Sequence, residues 1–271
     1  MLGRDLQDVL ADRDTTALGR SELDVTDSGA VFAAVAGHDV VINAAAYTKV
    51  DDAETHEDEA FAINATGVEN LALAAKHHGA RLVTVSTDYV FDGNSRTPYE
   101  ENTPYDPINA YGRSKAAGER LARAAHPDGT FVVRTAWLYG EHGPNFAATM
   151  LRLAQTHETV TVVDDQIGQP TWTRDLAQQI RALLDAEAPA GIYHGTNSGQ
   201  ASWFDFAQAV FETGGLDPAR VLPTTSAEFI RPAPRPTYSV LGHEAWCHVG
   251  LQPMRDWREA LNEAAPAITA H

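Results

Sequence analysis

The sequence predicts an α/β protein in which strands and helices alternate along the chain. Two observations carry that reading. Apolar runs of strand length recur at residues 40–42, 81–86 and 131–133. Between them lie stretches with apolar residues at helical spacing: Ala60, Phe61, Val68, Leu71 and Ala75 over 57–78, and an Ala- and Glu-rich segment after Lys115.

Composition bounds what such a chain can do. A length of 271 residues with 44% apolar content suffices for a sizeable core, in one domain or two closely joined ones. No apolar run is long enough to span a membrane, and no charged-then-apolar leader is present. Cys247 is the only cysteine, which excludes an internal disulfide and fits a reducing cytoplasm. A net charge of −17 argues against a nucleic-acid binder. Lysine occurs only at 49, 76 and 115, so arginine supplies 17 of the 20 cations. That bias fits either a GC-rich coding sequence or a salt-adapted surface. The 11 histidines are scattered and no His/Cys cluster has metal spacing, so no metal site is expected.

In chain order, Leu6, Val9 and Leu10 share one helical face, and residues 15–18 read as a strand. Asp27 is placed to cap a helix. Residues 38–43 form a buried strand ending in three small side chains, Ala44, Ala45 and Ala46, which let a flat ligand approach closely. One long helix is expected over 57–78, stopped by Gly79. The strand over 81–86 delivers Thr87 at its C-terminal end. After a polar, proline-bearing segment, a helix presents Tyr111 and Lys115. Residues 131–134 are the next strand, followed by a turn at Trp137. Then come a helix (145–156), a strand (160–163), a turn-rich loop (164–171), an amphipathic helix (175–186) and a short strand (191–195). A helix capped by Ser202 follows, then a loop at 231–236 stiffened by three prolines, and a closing helix at 254–265.

Chemistry concentrates at Tyr111 and Lys115, which share a helix face one turn apart. An ammonium there is expected to lower the phenol's pKa, so that Tyr111 exchanges a proton with a substrate oxygen near neutral pH. Thr87 offers a short hydroxyl donor to the same oxygen. Arg231 and Arg235, two cations on a stiff loop of an acidic chain, read as diphosphate contacts.

These residues resemble the extended short-chain dehydrogenase/reductase superfamily, through Thr87, Tyr111-x-x-x-Lys115 and Asn43-x-Ala45-Ala46. Within it, several stretches are similar to the dTDP-4-dehydrorhamnose reductases. They are Tyr47-Thr48-Lys49-Val50-Asp51, the run from Ser86 through Thr87-Asp88-Tyr89 to Gly93, and Pro104-x-x-Pro107-x-Asn109-x-Tyr111. The loop Asp165-Gln166-x-Gly168-x-Pro170-Thr171 and the pair Ser239-x-Leu241 match as well. The resemblance implies a Rossmann-like doubly wound parallel sheet with a smaller, interleaved C-terminal substrate domain. The dinucleotide domain would take residues 1–138 plus about 171–196, and the substrate domain about 139–170 and 197–271.

It also implies roles. Thr87, Tyr111 and Lys115 are catalytic. The cofactor, NADPH or NADH, is held by Gly3, Arg20, Asp24, Val25, Ala44, Ala45, Ala46, Tyr111 and Lys115. Gly19-Arg20 leaves room and a cation for a 2′-phosphate, which favours NADPH slightly. The nucleotide sugar meets Thr48, Val50, Thr87, Asp88, Tyr89, Trp137, Gln169 and Arg235, while Asn64 is structural. Related dehydratases carry Thr-Asp-Glu where this chain has Thr87-Asp88-Tyr89. Without the second carboxylate, elimination lacks its acid/base pair, whereas reduction needs only the tyrosine. The implied reaction reduces the 4-keto group of dTDP-4-dehydro-L-rhamnose. A related nucleotide-sugar reductase or epimerase, or a non-catalytic regulatory subunit of the same fold, is the alternative; a homodimer is possible.

The superfamily's Gly-rich turn is matched only at its tail, Met1-Leu2-Gly3, with Gly3 as its last glycine. A strand and two more glycines, about a dozen residues, are expected upstream of Met1. Without them the chain is expected to bind cofactor poorly or to be unstable.

Overall fold

The computed structural model describes residues 1–269. The chain opens with α1 (Leu2–Val9), which buries Leu2 and Leu6, and continues to α2 (Ser28–Val35). Asp27 caps α2 as expected, its carboxylate accepting from the backbone N–H groups of Gly29 and Ala30. β1 (Val40–Asn43) leads through the 47–56 loop to α3 (Glu57–Phe61) and α4 (Gly67–His78). The expected single helix over 57–78 contains one π-helical segment, Ala62–Thr66. There the carbonyl of Asn64 is pushed toward α5 (Ala110–Ala125), where a Cβ on Gly118 would lie 2.0 Å from that oxygen. Only glycine permits this approach. Gly79 ends α4 in the left-handed conformation, φ +73°.

β2 (Arg81–Thr87) precedes α5, and β3 (Thr130–Thr135) follows it. Two short strands, β4 (Leu138–Tyr139) and β5 (Val160–Val163), flank α6 (Phe146–Ala154). β6 (Ile167–Gly168), β7 (Thr171–Trp172), α7 (Thr173–Asp185) and β8 (Gly191–His194) come next. β9 (Ala201–Ser202) runs into α8 (Trp203–Thr213), where Ser202 and Asp205 form a reciprocal capping box. β10 (Val221–Thr224), α9 (Glu244–His248) and α10 (Trp257–Thr269) complete the described chain.

Four strands form one parallel sheet in the order β1-β2-β3-β8. Parallel strands need covered faces, and both faces are covered. On one, Leu2 and Leu6 of α1 pack with Leu176, Ile180 and Leu183 of α7 and with Trp246. On the other, Val31, Val35, Val68 and Leu71 of α2 and α4 meet Leu82. A separate core joins α6, α8 and α10 around Tyr139, Phe206, Phe211 and Leu261. The β5–β10 pair packs on that second core.

One expected element is absent. Residues 15–18 are not a strand, and Leu18 is 46% exposed. A strand exists only where a neighbour completes its ladder. Among the described residues the outer edge of β1 is unpaired, and residues 15–18 do not join it.

Candidate active site

The C-terminal end of β2 and the first turns of α5 bring the three expected catalytic residues to one place. Thr87 ends β2, buried at 5% exposure. Asn109 starts α5 by accepting from Gly112 N–H at 2.7 Å. A Cβ on Gly112 would sit 2.1 Å from the Tyr89 carbonyl, so the absence of a side chain lets the helix start directly against the turn after Thr87. In the first turn of α5, Tyr111 lies beside Thr87, and its ring meets Tyr89 edge to face with centroids 5.9 Å apart.

The electrostatics differ from the expectation for Tyr111. Burial pushes its phenol above the ordinary value, and the Thr87 hydroxyl pulls the other way. Lys115 does not lower it in this structure. The Lys115 ammonium instead donates to the Val85 carbonyl at 2.7 Å, and burial brings its pKa down to about 8, opposed by the Glu119 charge. Tyr111 is therefore poised to give a proton rather than to lose one spontaneously.

Thr87 also differs in detail. Its hydroxyl donates to Asp88 Oδ1 at 2.9 Å and accepts from Tyr89 N–H at 3.2 Å. Donating to a substrate oxygen requires the hydroxyl to turn away from Asp88. Asp88 is 3% exposed, its Oδ2 has no hydrogen-bond partner, and burial pushes its carboxyl up to about 6. The sign of the resulting pH effect follows from linkage. A carboxyl with a folded pKa above its ordinary 3.8 favours the fold at low pH and loses that contribution as pH rises through about 6. The shift corresponds to roughly 3 kcal/mol. Asp88→Asn cannot ionise, so its stability relative to the parent should rise by about this amount between pH 4 and pH 7. Urea midpoints of both proteins across that range measure it; a flat difference means that Asp88 ionises at no cost.

Behind this site lies a buried ion pair. Arg134 Nη2 and Glu119 Oε2 are 2.8 Å apart and both side chains are 1% exposed. Ser86 donates to Glu119 Oε1 at 2.5 Å, and Arg134 Nη1 donates to the Glu101 carbonyl and to His194 Nε2. Sequence reasoning missed this pair. Its one signal was Glu119 standing four residues after Lys115 on the same helix face.

A cleft of about 380 Å³ opens beside the site, lined by Thr48, Lys49, Val50, Asp51, Asp52, Arg231 and Arg235. Thr48, Val50 and Arg235 thus meet as expected, although Arg235 lies more than 180 residues from the other two. Asp51, which had no expected role, holds both arginines. Trp137 takes a left-handed backbone, φ +47°, and stacks on Trp203 with centroids 3.6 Å apart. Gln169, expected at the substrate, is 2% exposed. Its amide accepts from Thr196 and from Leu241 N–H and donates to the Leu241 carbonyl. That side chain ties residues 169–171 to the 239–241 segment. Asn64 likewise bridges the Tyr47 backbone and Ser114 of α5.

Of the expected cofactor residues, Ala44, Ala45 and Ala46 follow directly on the C-terminal end of β1. Ala44 and Ala45 are exposed, and Ala45 N–H donates to Asn43. Val25 packs on Gly67, Asp24 is exposed and accepts from Thr26, and Arg20 extends into solvent 4.0 Å from Glu59. Gly3 faces open space at the first turn of α1, a helix whose N-terminus has no side-chain cap. Lys115 has three donors and one protein acceptor among the described residues. Uncapped N–H groups and unused ammonium donors suit a dinucleotide's pyrophosphate and ribose, so the residues present fit that group.

The parallel sheet with Thr87, Tyr111 and Lys115 at its C-terminal edge defines a short-chain dehydrogenase/reductase. The chain belongs to the family described as RmlD substrate binding domain, whose profile matches residues 1–269. It is 51% identical over 276 residues to a dTDP-4-dehydrorhamnose reductase of Streptomyces griseus, covering 99% of this chain and 91% of that protein. It is 48% identical to a dTDP-4-keto-6-deoxy-D-glucose reductase of Streptomyces niveus, covering 100% and 95%. Among solved structures, the Bacillus anthracis dTDP-4-dehydrorhamnose reductase in complex with NADP superposes with a TM-score of 0.94. That match has 41% identity and covers 97% of this chain and 94% of the other.

Proposed function

We propose that this chain reduces the 4-keto group of dTDP-4-dehydro-L-rhamnose to give dTDP-L-rhamnose, with NADPH as the hydride source. The observation that carries this reading is the convergence of Thr87, Tyr111 and Lys115 at the end of β2, within a family that holds named 4-keto sugar reductases. When bound, the nicotinamide supplies a hydride to C4.

The chain's own residues do the rest. Tyr111, kept protonated by burial, hands its proton to the C4 oxygen as negative charge develops there. Thr87 turns its hydroxyl from Asp88 to the same oxygen. Lys115, with two donors unused, holds the ribose. Tyr89 stands where a second carboxylate would be needed for water elimination, so the site is left with reduction. Arg231 and Arg235 take the diphosphate, and Thr48 and Val50 line the same cleft toward the sugar. Trp137 presents its indole to the deoxysugar. The nucleotide-bound substrate, together with the lone cysteine Cys247, points to a cytoplasmic setting.

A second reading concerns the sugar: the Streptomyces niveus relative is named for a different 4-keto sugar. Consumption of NADPH with dTDP-4-dehydro-L-rhamnose and with dTDP-4-keto-6-deoxy-D-glucose separates the two. The rhamnose precursor is expected to give the higher kcat/KM, with NADPH above NADH. Turnover of neither sugar overturns the assignment.

A further inference from the structure

The loop after β1 and the proline-rich loop at 231–236 are joined across the cleft by one carboxylate. Asp51 Oδ2 accepts from Arg231 Nε at 3.0 Å and Nη2 at 2.6 Å, and Oδ1 accepts from Arg235 Nη2 at 3.0 Å and Ala233 N–H at 3.2 Å. Each oxygen is thus taken by a different guanidinium. Two like charges that would repel are bridged by the opposite charge between them. The arginines in turn hold the Asp51 carboxyl below its usual value despite partial burial, so it stays ionised through the neutral range.

We propose that Asp51 is a positioning residue: it fixes Arg231 and Arg235 side by side as a two-pronged receptor for the diphosphate, and so makes the cleft select a nucleoside diphosphate over a monophosphate. This rests on the reading of the cleft as the nucleotide-sugar site.

Donors, charge and mechanics support it. A guanidinium has five N–H donors. Arg231 uses two on Asp51, and Arg235 uses one on Asp51 and one on the Ala233 carbonyl, so three remain on each. Lys49, Arg231 and Arg235 against Asp51 and Asp52 leave the cleft at +1 in a chain of −17. An anion finds few such places on this surface.

The loop is also tied to the catalytic helix. Asn109, the cap of α5, donates to the Pro234 carbonyl at 3.0 Å. The Arg235 guanidinium lies 5.9 Å from the Tyr89 ring, whose edge meets Tyr111. A diphosphate gripped by these arginines is therefore held at a set position relative to the proton donor. Asp51 could instead compete with the diphosphate for the arginines, and that alternative predicts the opposite sign on substitution.

The test is Asp51→Asn, with Asp51→Glu as the variant that keeps the charge. Asn retains an acceptor for Ala233 N–H but loses both ion pairs. The KM for the nucleotide sugar should rise about tenfold with a smaller change in kcat, and NADPH affinity should not move. Calorimetric titration with dTDP and with dTMP should show the preference for dTDP narrowing by a similar factor in Asp51→Asn and largely restored in Asp51→Glu. An unchanged or lowered KM, or an unchanged dTDP-to-dTMP preference in Asp51→Asn, overturns the proposal. The titrations report on Asp51 without turnover. A parent that binds dTDP tightly but reduces no dTDP-sugar therefore sinks the reductase reading alone, and one that does not bind dTDP sinks both.

Discussion

Tyr111→Phe is expected to lower kcat by a factor on the order of 10²–10⁴, the usual worth of a positioned proton donor. The substitution removes one oxygen and keeps the ring, so the edge-to-face contact with Tyr89 persists. On the proposed reading, the substrate is held by the cleft at Thr48, Val50, Arg231 and Arg235, none of which the change to Phe touches. The loss should therefore fall on kcat and leave KM and NADPH binding nearly unchanged, the pattern of an interaction made only in the transition state. The direction of the Tyr111 shift sharpens the expectation. Burial holds the phenol protonated, so in the reductive direction the donor is already loaded at neutral pH. Steady-state rates of NADPH oxidation at saturating sugar measure the effect. A kcat within threefold of the parent would remove Tyr111 from the mechanism.

The second large effect is on stability. Glu119→Ala should destabilise the fold by about 3–5 kcal/mol, because it leaves the Arg134 guanidinium charged and buried with no counter-ion. Arg134 has the His194 ring and the Glu101 carbonyl as further contacts, and neither carries negative charge. Burial holds His194 well below its ordinary pKa, so it remains neutral and accepts from Arg134. The same substitution strips Ser86 of its acceptor. It also removes the negative charge that raises the Lys115 pKa, so the ammonium should lose its proton at a lower pH than about 8. Urea midpoints of Glu119→Ala and Glu119→Gln give the stability change. Gln keeps the shape and an acceptor for Ser86, so the difference between the two variants isolates cavity and acceptor from charge. A loss under about 1 kcal/mol in Glu119→Ala would mean that water reaches Arg134.

Much of this protein could be read along the chain because its signals are local. Thr87 at a strand end, and Tyr111 with Lys115 one helical turn apart, depend on spacing within about one element. The same holds for the caps at Asp27 and Ser202, where a side chain bonds the backbone two or three residues on. Gly79 ends its helix for an equally local reason.

Where a residue depends on what lies beside it, only the tertiary structure decided. Residues 15–18 have strand-like composition, yet a strand requires pairing with a neighbour's ladder, and they pair with none among the described residues. Gln169 sits in a loop that matches a binding motif, but its amide bonds Leu241, 72 residues away. The direction of the Tyr111 shift depended on burial outweighing the Thr87 hydrogen bond while Lys115 turns to the Val85 carbonyl, a balance that spacing cannot express. Asp51 meets Arg231 and Arg235 across 180 and 184 positions. Sequence spacing sets which groups share a face within one helix or strand; which carboxylate meets which guanidinium between elements is set by how the layers pack.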